Sequence, residues 1–258
     1  MKKNSRAKII VILIIFILLI ILGILGFLLY NVYNNYIAQN DYKQLSSSVA
    51  LTEETNTTNK LPKNPIDFKS LKKRNSEIFA WIRIPDTNID YPVLQSKKSD
   101  DFYLHRDING EYKYAGSIYI EYCNSTELDD RVTVMYGHNM QNGSMFANLH
   151  KFEDFSFFKK HRYFYVYTPT RKLTYEVVSA HNYDSKHIMN SYNFAENKVF
   201  KNYLEFIQNP RSIVRNVREK LNHKLTVDDR ILTLSTCLNS GDGRYLLQGV
   251  LVKDEFTR

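Results

Sequence analysis

One stretch near the C-terminus places a thiol close to a cation. The apolar run 231–236 ends in Cys237, a loop with two glycines follows, and Arg244 opens the next apolar run. A cysteine at the end of a strand lies at the rim of a sheet, and Arg244 returns to the same rim if the two strands form a hairpin. Because a neighbouring cation favours the nucleophilic thiolate, the pattern predicts a reactive cysteine.

A cysteine nucleophile also needs a side chain that carries protons, and this is most often a histidine. Among the seven histidines, His138 is favoured because the apolar run 132–136 leads through Gly137 into it, at a strand end that resembles the position of Cys237. His181 also ends a predicted strand and is the rival. A surface or packing role is expected for three others that lie among charged and aromatic residues: His150, His161 and His223.

Neither a metal nor a cofactor is expected. No two histidines have the i, i+4 spacing of a zinc-binding helix, and two cysteines cannot build a structural zinc site. The chain has no phosphate-binding loop of the Walker type, and the segment 241–243 is too short for a dinucleotide fingerprint.

The two cysteines, Cys123 and Cys237, leave a disulfide open as an alternative in a protein outside the cytoplasm. A domain of about 190 residues buries enough apolar surface without such a bond. The surroundings of Cys237 therefore favour a free thiol.

A membrane anchor is predicted at the N-terminus. Residues 9–29 carry no charge and are nearly all Ile, Leu, Val or Phe. At about 1.5 Å per residue they span about 30 Å, the thickness of a hydrocarbon core. A cleaved signal peptide would have a shorter apolar core and small residues at its cleavage site, whereas Tyr30 and Tyr33 follow here.

Charge sets the expected orientation. Four basic residues precede the apolar run and none follows it before Lys43, so the N-terminus is expected in the cytoplasm and the rest outside. The net charge is +8, and those four residues account for half of it. The remaining charge is mild, and the sequence has no basic run with interleaved aromatic residues. Nucleic-acid binding is therefore not expected.

The chain is expected to have four parts: a cytoplasmic basic tail (1–8), a transmembrane anchor (9–30), an extracytoplasmic stalk (31–64) and a catalytic domain (65–258). The stalk is polar, rich in Ser, Thr and Asn, and is expected to be flexible. The domain should begin with a short helix that Asp67 or Ser70 caps.

Eight short runs of β-branched and aromatic residues predict a mostly β domain, either a barrel or a sandwich. The second run contains Pro92 and is expected at a sheet edge. The runs are 81–84, 90–94, 117–122, 132–136, 163–168, 173–180, 231–235 and 245–253. A helical insertion precedes the last two runs, with apolar spacing from Phe200 to Ile207, and a second helix is predicted over 213–221.

These residues together resemble a known family. The segment from Leu234 to Cys237 resembles the Thr-Leu-x-Thr-Cys motif of sortases, and the segment from Tyr136 to Asn139 resembles their histidine motif. Arg244 falls where the family carries its essential arginine. The resemblance covers 65–253, in the order His, Cys, Arg and behind an N-terminal anchor.

The chain resembles class B sortases in particular. It has an N-terminal helix before the Trp-Ile-Arg-Ile segment at Trp81, an Asp-Tyr-Pro-Val segment at Asp90, and a long helix before the cysteine strand. The resemblance implies a closed eight-stranded β-barrel with the helix inserted before that strand.

The resemblance also implies an activity, that of a peptidase-like cysteine transpeptidase on the outer face of a Gram-positive membrane. Such an enzyme cleaves a sorting signal near the C-terminus of a secreted protein and forms a thioacyl intermediate. An amine of a peptidoglycan precursor then attacks this intermediate and joins the protein to the cell wall. The partners implied are the secreted proteins, that amine and, through the anchor, membrane lipid.

By the same resemblance, Cys237 is the nucleophile and His138 protonates the leaving amine and deprotonates the incoming one. Arg244 holds the substrate backbone or the oxyanion. Leu104, Tyr136 and Ser235 would line the peptide groove.

Asn239 is a departure from the family pattern. Class B members commonly carry an acid two residues after the cysteine, where this chain has Asn239. An amide can orient an imidazole by hydrogen bonding but cannot stabilise its cation by charge. Asn239 is therefore grouped with the groove residues, and the constellation expected is Cys–His–Arg.

Two other functions stay open from the residues alone. A cysteine hydrolase of cell-wall peptides would use the same cysteine and histidine. A non-enzymatic receptor or scaffold would bury Cys237 or pair it with Cys123.

Overall fold

The computed structural model describes residues 2–49 and 61–258. The first helix, α1, extends over Lys2–Val49. The chain divides into two compact units, and the second unit begins at Tyr42, within this helix. An 18-residue window of α1 has a mean hydropathy of 3.7 and is fully exposed, so the helix can cross a membrane by its length and composition.

The region expected as a flexible stalk, 31–64, is helical as far as Val49. The last turns of α1 belong to the second unit, where the hydroxyl of Tyr42 donates to the carbonyl oxygen of Gly116 at 3.0 Å. Tyr42, Leu45 and Val49 are buried. This apolar face keeps the segment ordered despite its polar composition, whereas residues 50–60 lie outside the described part of the chain.

Helix α2, Phe68–Arg74, begins at the predicted cap. The carboxylate of Asp67 accepts a hydrogen bond from the amide of Ser70 at 3.0 Å, and three basic residues occupy the last turn. Phe68 and Leu71 face the core. Asp67, rather than Ser70, is therefore the cap.

Within the described residues 61–258, nine strands form one sheet. They are β1 Ile78–Arg83, β2 Asp90–Leu94, β3 Ile118–Ile120, β4 Val132–Tyr136, β5 Tyr163–Tyr167, β6 Arg171–Tyr183, β7 Arg215–Val217, β8 Ile231–Cys237 and β9 Arg244–Phe256. Their order is β5-β1-β2-β3-β4-β8-β9-β6-β7. Because β5 also pairs with β6, eight strands close into a barrel, as predicted, and β7 extends it from β6.

The barrel interior is apolar and fully enclosed. Trp81, the single tryptophan, has no exposed surface, and Phe164 stacks on Tyr175 with ring centroids 5.3 Å apart. Alternation along the strands sends one face inward and the other outward. In β4, Met135 belongs to the interior cluster, whereas Val132 and Val134 belong to a second cluster with the helical insertion.

Five helical segments lie outside the barrel after α2. They are the 3₁₀ helices Phe102–His105 and Ala147–Glu153 and the α-helices α3 Phe155–Lys160, α4 Ile188–Ser191 and α5 Asn197–Gln208. Helix α5 is the predicted insertion, and its buried residues have the predicted spacing from Phe200 to Ile207. It covers the outward faces of β4 and β8.

The structure corrects two predicted elements. Segment 213–221 is not a second helix: it contains β7, whose backbone pairs with Ser179, Ala180 and His181 of β6. Ile213 is fully exposed and Val214 is also exposed, so the first two apolar positions of the predicted helix face no core. Strand β2 is not an edge, because it lies between β1 and β3. Pro92 is tolerated there because β3 pairs with β2 only at Val93 and Leu94 and leaves Pro92 without a ladder partner on that side.

Gly249 in β9 tests the packing of the barrel interior. A Cβ at this position would lie 2.6 Å from Cε1 of Phe164 and 3.1 Å from Cβ of Tyr175. Gly249→Ala is therefore expected to lower the free energy of unfolding by about 1–3 kcal/mol, because the core is close-packed. Thermal unfolding of the detergent-solubilised chain, followed by Trp81 fluorescence, measures the loss.

The control is Lys253→Ala, which truncates an exposed side chain on the same strand. It should change the free energy of unfolding by less than about 0.5 kcal/mol. A Gly249→Ala protein as stable as the wild type would contradict the close packing of Phe164 over this glycine.

Candidate active site

Strand β8 has a different neighbour on each side, and together they bring the predicted residues to one rim. Strand β4 is parallel to it, with Tyr136 opposite Ser235, and β9 is antiparallel, with Cys237 opposite Arg244. The amide of Gly137 continues the parallel ladder by donating to the carbonyl oxygen of Ser235 at 3.1 Å. His138 therefore leaves β4 beside the end of β8 that carries the cysteine.

The thiol of Cys237 is half-buried and contacts a guanidinium. Nη1 of Arg244 donates towards Sγ at 3.7 Å and also to the carbonyl oxygen of Gly243 at 3.2 Å. A cation in this position favours the thiolate. Neither this cysteine nor Cys123 forms a disulfide, so the free thiol expected from the sequence is what the structure has.

Gly243 shapes the turn that returns Arg244 to the thiol. Its φ is +90°, and a Cβ there would lie 2.6 Å from the carbonyl oxygen of Tyr183. Both the left-handed backbone and this close approach require glycine. The short loop between Cys237 and Arg244 is thus fixed against the end of β6.

The imidazole of His138 is half-buried, and its Nε2 lies 2.9 Å from the carbonyl oxygen of Leu104. A carbonyl can only accept, so Nε2 carries the hydrogen and Nδ1 is the basic nitrogen of the neutral ring. Burial, the neighbouring His105 and the positive charge of Arg244 hold the pKa of His138 below its ordinary value. The neutral ring therefore predominates at neutral pH.

Two rings fix the plane of His138. The ring centroid of His105 lies 5.0 Å away at an interplanar angle of 24°, and that of Tyr114 lies 5.4 Å away at 14°. His105 belongs to the 3₁₀ helix that also supplies Leu104. One short helix therefore both holds and covers the histidine.

The residues predicted to line a groove lie around this rim in different settings. Leu104 is half-buried and contacts His138 through its carbonyl oxygen. The hydroxyl of Tyr136 donates to Glu121 at 3.2 Å, and Ser235 is buried within β8. Asn239 is exposed and its side-chain oxygen accepts from Asn139 at 2.8 Å, so it contacts no described imidazole.

A carboxylate beneath Tyr136 joins two further elements to the rim. Oε1 of Glu121 lies 2.5 Å from Nε2 of His187, the residue that caps α4. Burial and this carboxylate raise the pKa of Tyr136. Sequence reasoning missed both Glu121 and His187, because they are 66 positions apart and belong to no shared motif.

His150 is the main residue that sequence reasoning misplaced. It was expected as a surface or packing residue, yet its Nε2 lies 3.0 Å from the carbonyl oxygen of Cys237. The side-chain amide of Asn139 donates to the same oxygen at 3.0 Å. No local pattern could predict this contact, because 87 positions separate His150 from the cysteine.

The rival histidine, His181, lies elsewhere. It is fully buried in β6, and its Nε2 lies 3.0 Å from Oε1 of Gln248. Gln248 in turn donates to the hydroxyl of Tyr203 on α5 at 2.8 Å. His181 thus belongs to a polar network beneath the helical insertion, and burial lowers its pKa.

Comparisons with known proteins, by sequence and by structure, agree on the sortase family. A sequence profile of the sortase domain matches residues 82–252. Sortase B of Listeria monocytogenes is 36% identical over 204 residues, which are 78% of this chain and 80% of that protein.

Solved structures agree in fold. The crystal structure of Bacillus anthracis sortase B in complex with AAEK1 superimposes with a TM-score of 0.70 at 32% identity, covering 86% of this chain and 99% of that one. A Staphylococcus aureus sortase B–substrate complex gives a TM-score of 0.61 at 28% identity, covering 72% and 84%.

Alkylation should distinguish the two thiols. Desolvation and the carboxylates of Glu121 and Asp100 raise the pKa of Cys123 to about 11. At pH 8 about a thousandth of this thiol is ionised, so brief treatment with iodoacetamide should label Cys237 alone. Mass spectrometry should find one label on the wild type and on Cys123→Ala, and none on Cys237→Ala. A label retained by Cys237→Ala would contradict the assignment.

The titration of His138 tests the electrostatics of the rim. Its NMR midpoint should lie below 6.5, the ordinary pKa of histidine, and Arg244→Gln should raise it, because removing a cation stabilises the imidazolium. Arg230→Gln is the control, since this arginine lies before the opposite end of β8 and pairs with Asp254. An unchanged midpoint in Arg244→Gln would contradict the influence of Arg244 on His138.

Proposed function

This chain belongs to the sortase family of cysteine transpeptidases as a class B sortase, and we propose that it joins secreted proteins to the cell wall at the bacterial surface. The substrate protein carries a sorting signal near its C-terminus, and the acceptor is an amine of a peptidoglycan precursor. The observation that carries the proposal is the contact between Nη1 of Arg244 and the thiol of Cys237, at the rim where β4 delivers His138.

In the first half-reaction His138 accepts the proton of the Cys237 thiol, and the resulting thiolate attacks the carbonyl carbon of the scissile peptide bond. A tetrahedral oxyanion forms, and the guanidinium of Arg244 stabilises its charge or holds the adjoining substrate backbone. The carbon–nitrogen bond then breaks while His138 gives a proton to the leaving amine. The product is a thioacyl enzyme and a free C-terminal fragment.

In the second half-reaction the acceptor amine attacks the thioacyl carbon and loses its proton to His138. The carbon–sulfur bond breaks and the thiolate returns. The lowered pKa of His138 makes its cation a strong acid towards the leaving amine and leaves the neutral ring ready to accept the next proton. One residue thus serves as acid and then as base.

The peptide groove is assigned to Leu104, Tyr136 and Ser235, with Asn239 at its margin. Three of these border the elements that carry the cysteine and the histidine: Leu104 contacts His138, and Tyr136 pairs with Ser235. The Staphylococcus aureus relative has been solved as a substrate complex, which gives a related barrel in which a substrate is seated.

The apolar helix α1 is assigned as a single-pass anchor. Its length and composition support this role, and the basic residues before the apolar run support a cytoplasmic N-terminus. The catalytic domain then lies outside the cell, where secreted proteins and wall precursors meet it. The localisation proposed is a Gram-positive cell membrane.

The proposal is tested with a fluorogenic library of sorting-type peptides and an added peptide amine. The wild type should release the C-terminal fragment and form a ligated product, and Cys237→Ala should form neither. Arg244→Lys should lower kcat/KM about 100-fold, because a lysine cannot reproduce the planar donor of arginine. Arg230→Lys, remote from the rim, should match the wild type.

Excess amine separates the proposed reaction from hydrolysis. A transpeptidase gives a ligated product that increases with amine concentration, whereas a cysteine hydrolase of wall peptides gives only the acid. Acid as the sole product at saturating amine would overturn the transpeptidase proposal, and full activity in Cys237→Ala would overturn the site.

A further inference from the structure

The end of strand β8 is held by side chains that do not belong to the predicted constellation. Carbonyl groups alternate sides along a strand, so the carbonyls of Ser235 and Cys237 face the same neighbour. The first accepts from the backbone of Gly137, but β4 has ended where the second would need its partner. There the side chains of Asn139 and His150 lie each 3.0 Å from the oxygen of Cys237.

His150 is placed between two acceptors. Its Nε2 faces the carbonyl oxygen of Cys237 at 3.0 Å, and its Nδ1 lies 2.5 Å from Oε1 of Glu153. Nε2 also lies 3.1 Å from the side-chain nitrogen of Asn139, which donates to the carbonyl oxygen of Cys237. Glu153 thus orients the ring, and Nε2 lies where it meets both polar groups at the end of β8.

The ring is held from the other side as well. It stacks on Tyr245 with a centroid distance of 4.7 Å and an interplanar angle of 26°, and Tyr245 follows Arg244 in β9. The groups facing His150 are thus Glu153 from its own helix, Tyr245 from β9, the carbonyl of Cys237 from β8 and the neutral amide of Asn139. Among these described neighbours Glu153 supplies the one charge.

We propose that His150, held by Glu153, is a positioning residue that fixes the backbone of Cys237 and so sets the direction of its thiol. The strand end is then clamped between Arg244, which contacts the sulfur, and His150, which contacts the carbonyl oxygen of the same residue. This inference rests on the proposed function only for its kinetic readout, because thiol alkylation reports it independently.

The first experiment compares His150→Ala with the wild-type full chain in detergent. Without the clamp, the rate of iodoacetamide alkylation of Cys237 at pH 7 should fall about threefold to tenfold, because the thiol is no longer held beside the guanidinium of Arg244. In the transpeptidation assay kcat should fall about 10- to 100-fold with KM unchanged, since misplacing a nucleophile affects the chemical step.

Two conservative variants separate the positioning contact from folding. His150→Gln keeps a side-chain donor that can bond the carbonyl oxygen of Cys237, so it should recover part of kcat and of the alkylation rate. Glu153→Gln weakens the contact that holds the ring of His150, so it should lower the alkylation rate without lowering the thermal unfolding midpoint. It also keeps the inference open to test if His150→Ala fails to fold.

The matched control is His223→Ala. His223 pairs with Asp229 at 2.7 Å on the surface and contacts no strand end that carries the thiol. It should alkylate and turn over like the wild type. An alkylation rate unchanged in both His150→Ala and Glu153→Gln would overturn the inference, and so would a loss of kcat no greater in His150→Ala than in His223→Ala.

Failure of the proposed function would look different. If the wild type formed no ligated product while Cys237 remained the alkylated thiol, the transpeptidase assignment would fail. The comparison of alkylation rates would still decide the role of His150.

Discussion

The hydrogen-bonded register of β8 against its two neighbours is the constraint on which the site depends. A parallel neighbour brings its residues to the same end at the same height, and an antiparallel neighbour begins where β8 finishes. Tyr136 therefore lies opposite Ser235, and Arg244 lies opposite Cys237. A shift of one residue would turn every side chain to the opposite face and separate the thiol from its cation.

Closure of the barrel protects that register. Eight strands form a ring without free edges, and the interior is filled by large rings such as Trp81 and Phe164. Helix α5 covers the outer faces of β4 and β8, so both faces of the central pair are buried. Chemistry is thus confined to the ends of strands, where backbone groups lose their ladder partners and side chains must replace them.

Those replacements account for much of the polarity at the rim. The carbonyl of Leu104 fixes the tautomer of His138, and the carbonyl of Cys237 is bonded by Asn139 and His150. The same contacts involve Asn239, the residue that departs from the family pattern. Its side chain accepts from Asn139 rather than orienting an imidazole, so an amide is as suitable there as an acid would be.

Local pattern by itself determined the apolar helix, most strands, the capped helix α2, the spacing of α5 and the three rim residues. Each of these is encoded in neighbouring residues: an uncharged run of helical length, an alternation, a cap, or a polar residue at the end of an apolar run. The helix predicted over 213–221 was wrong, because Ile213 and Val214 are exposed and the backbone of Arg215–Val217 pairs with β6.

Tertiary structure alone decided what meets at the rim. Strand β2 lies inside the sheet, and the polar segment that ends α1 packs within the second unit. His181 belongs to a buried network, and His150 contacts the carbonyl oxygen of Cys237. These outcomes depend on contacts between residues far apart in the chain, whose strength comes from barrel closure and not from local preference. A sequence can therefore indicate which side chains do chemistry, whereas the packed fold decides which groups hold them.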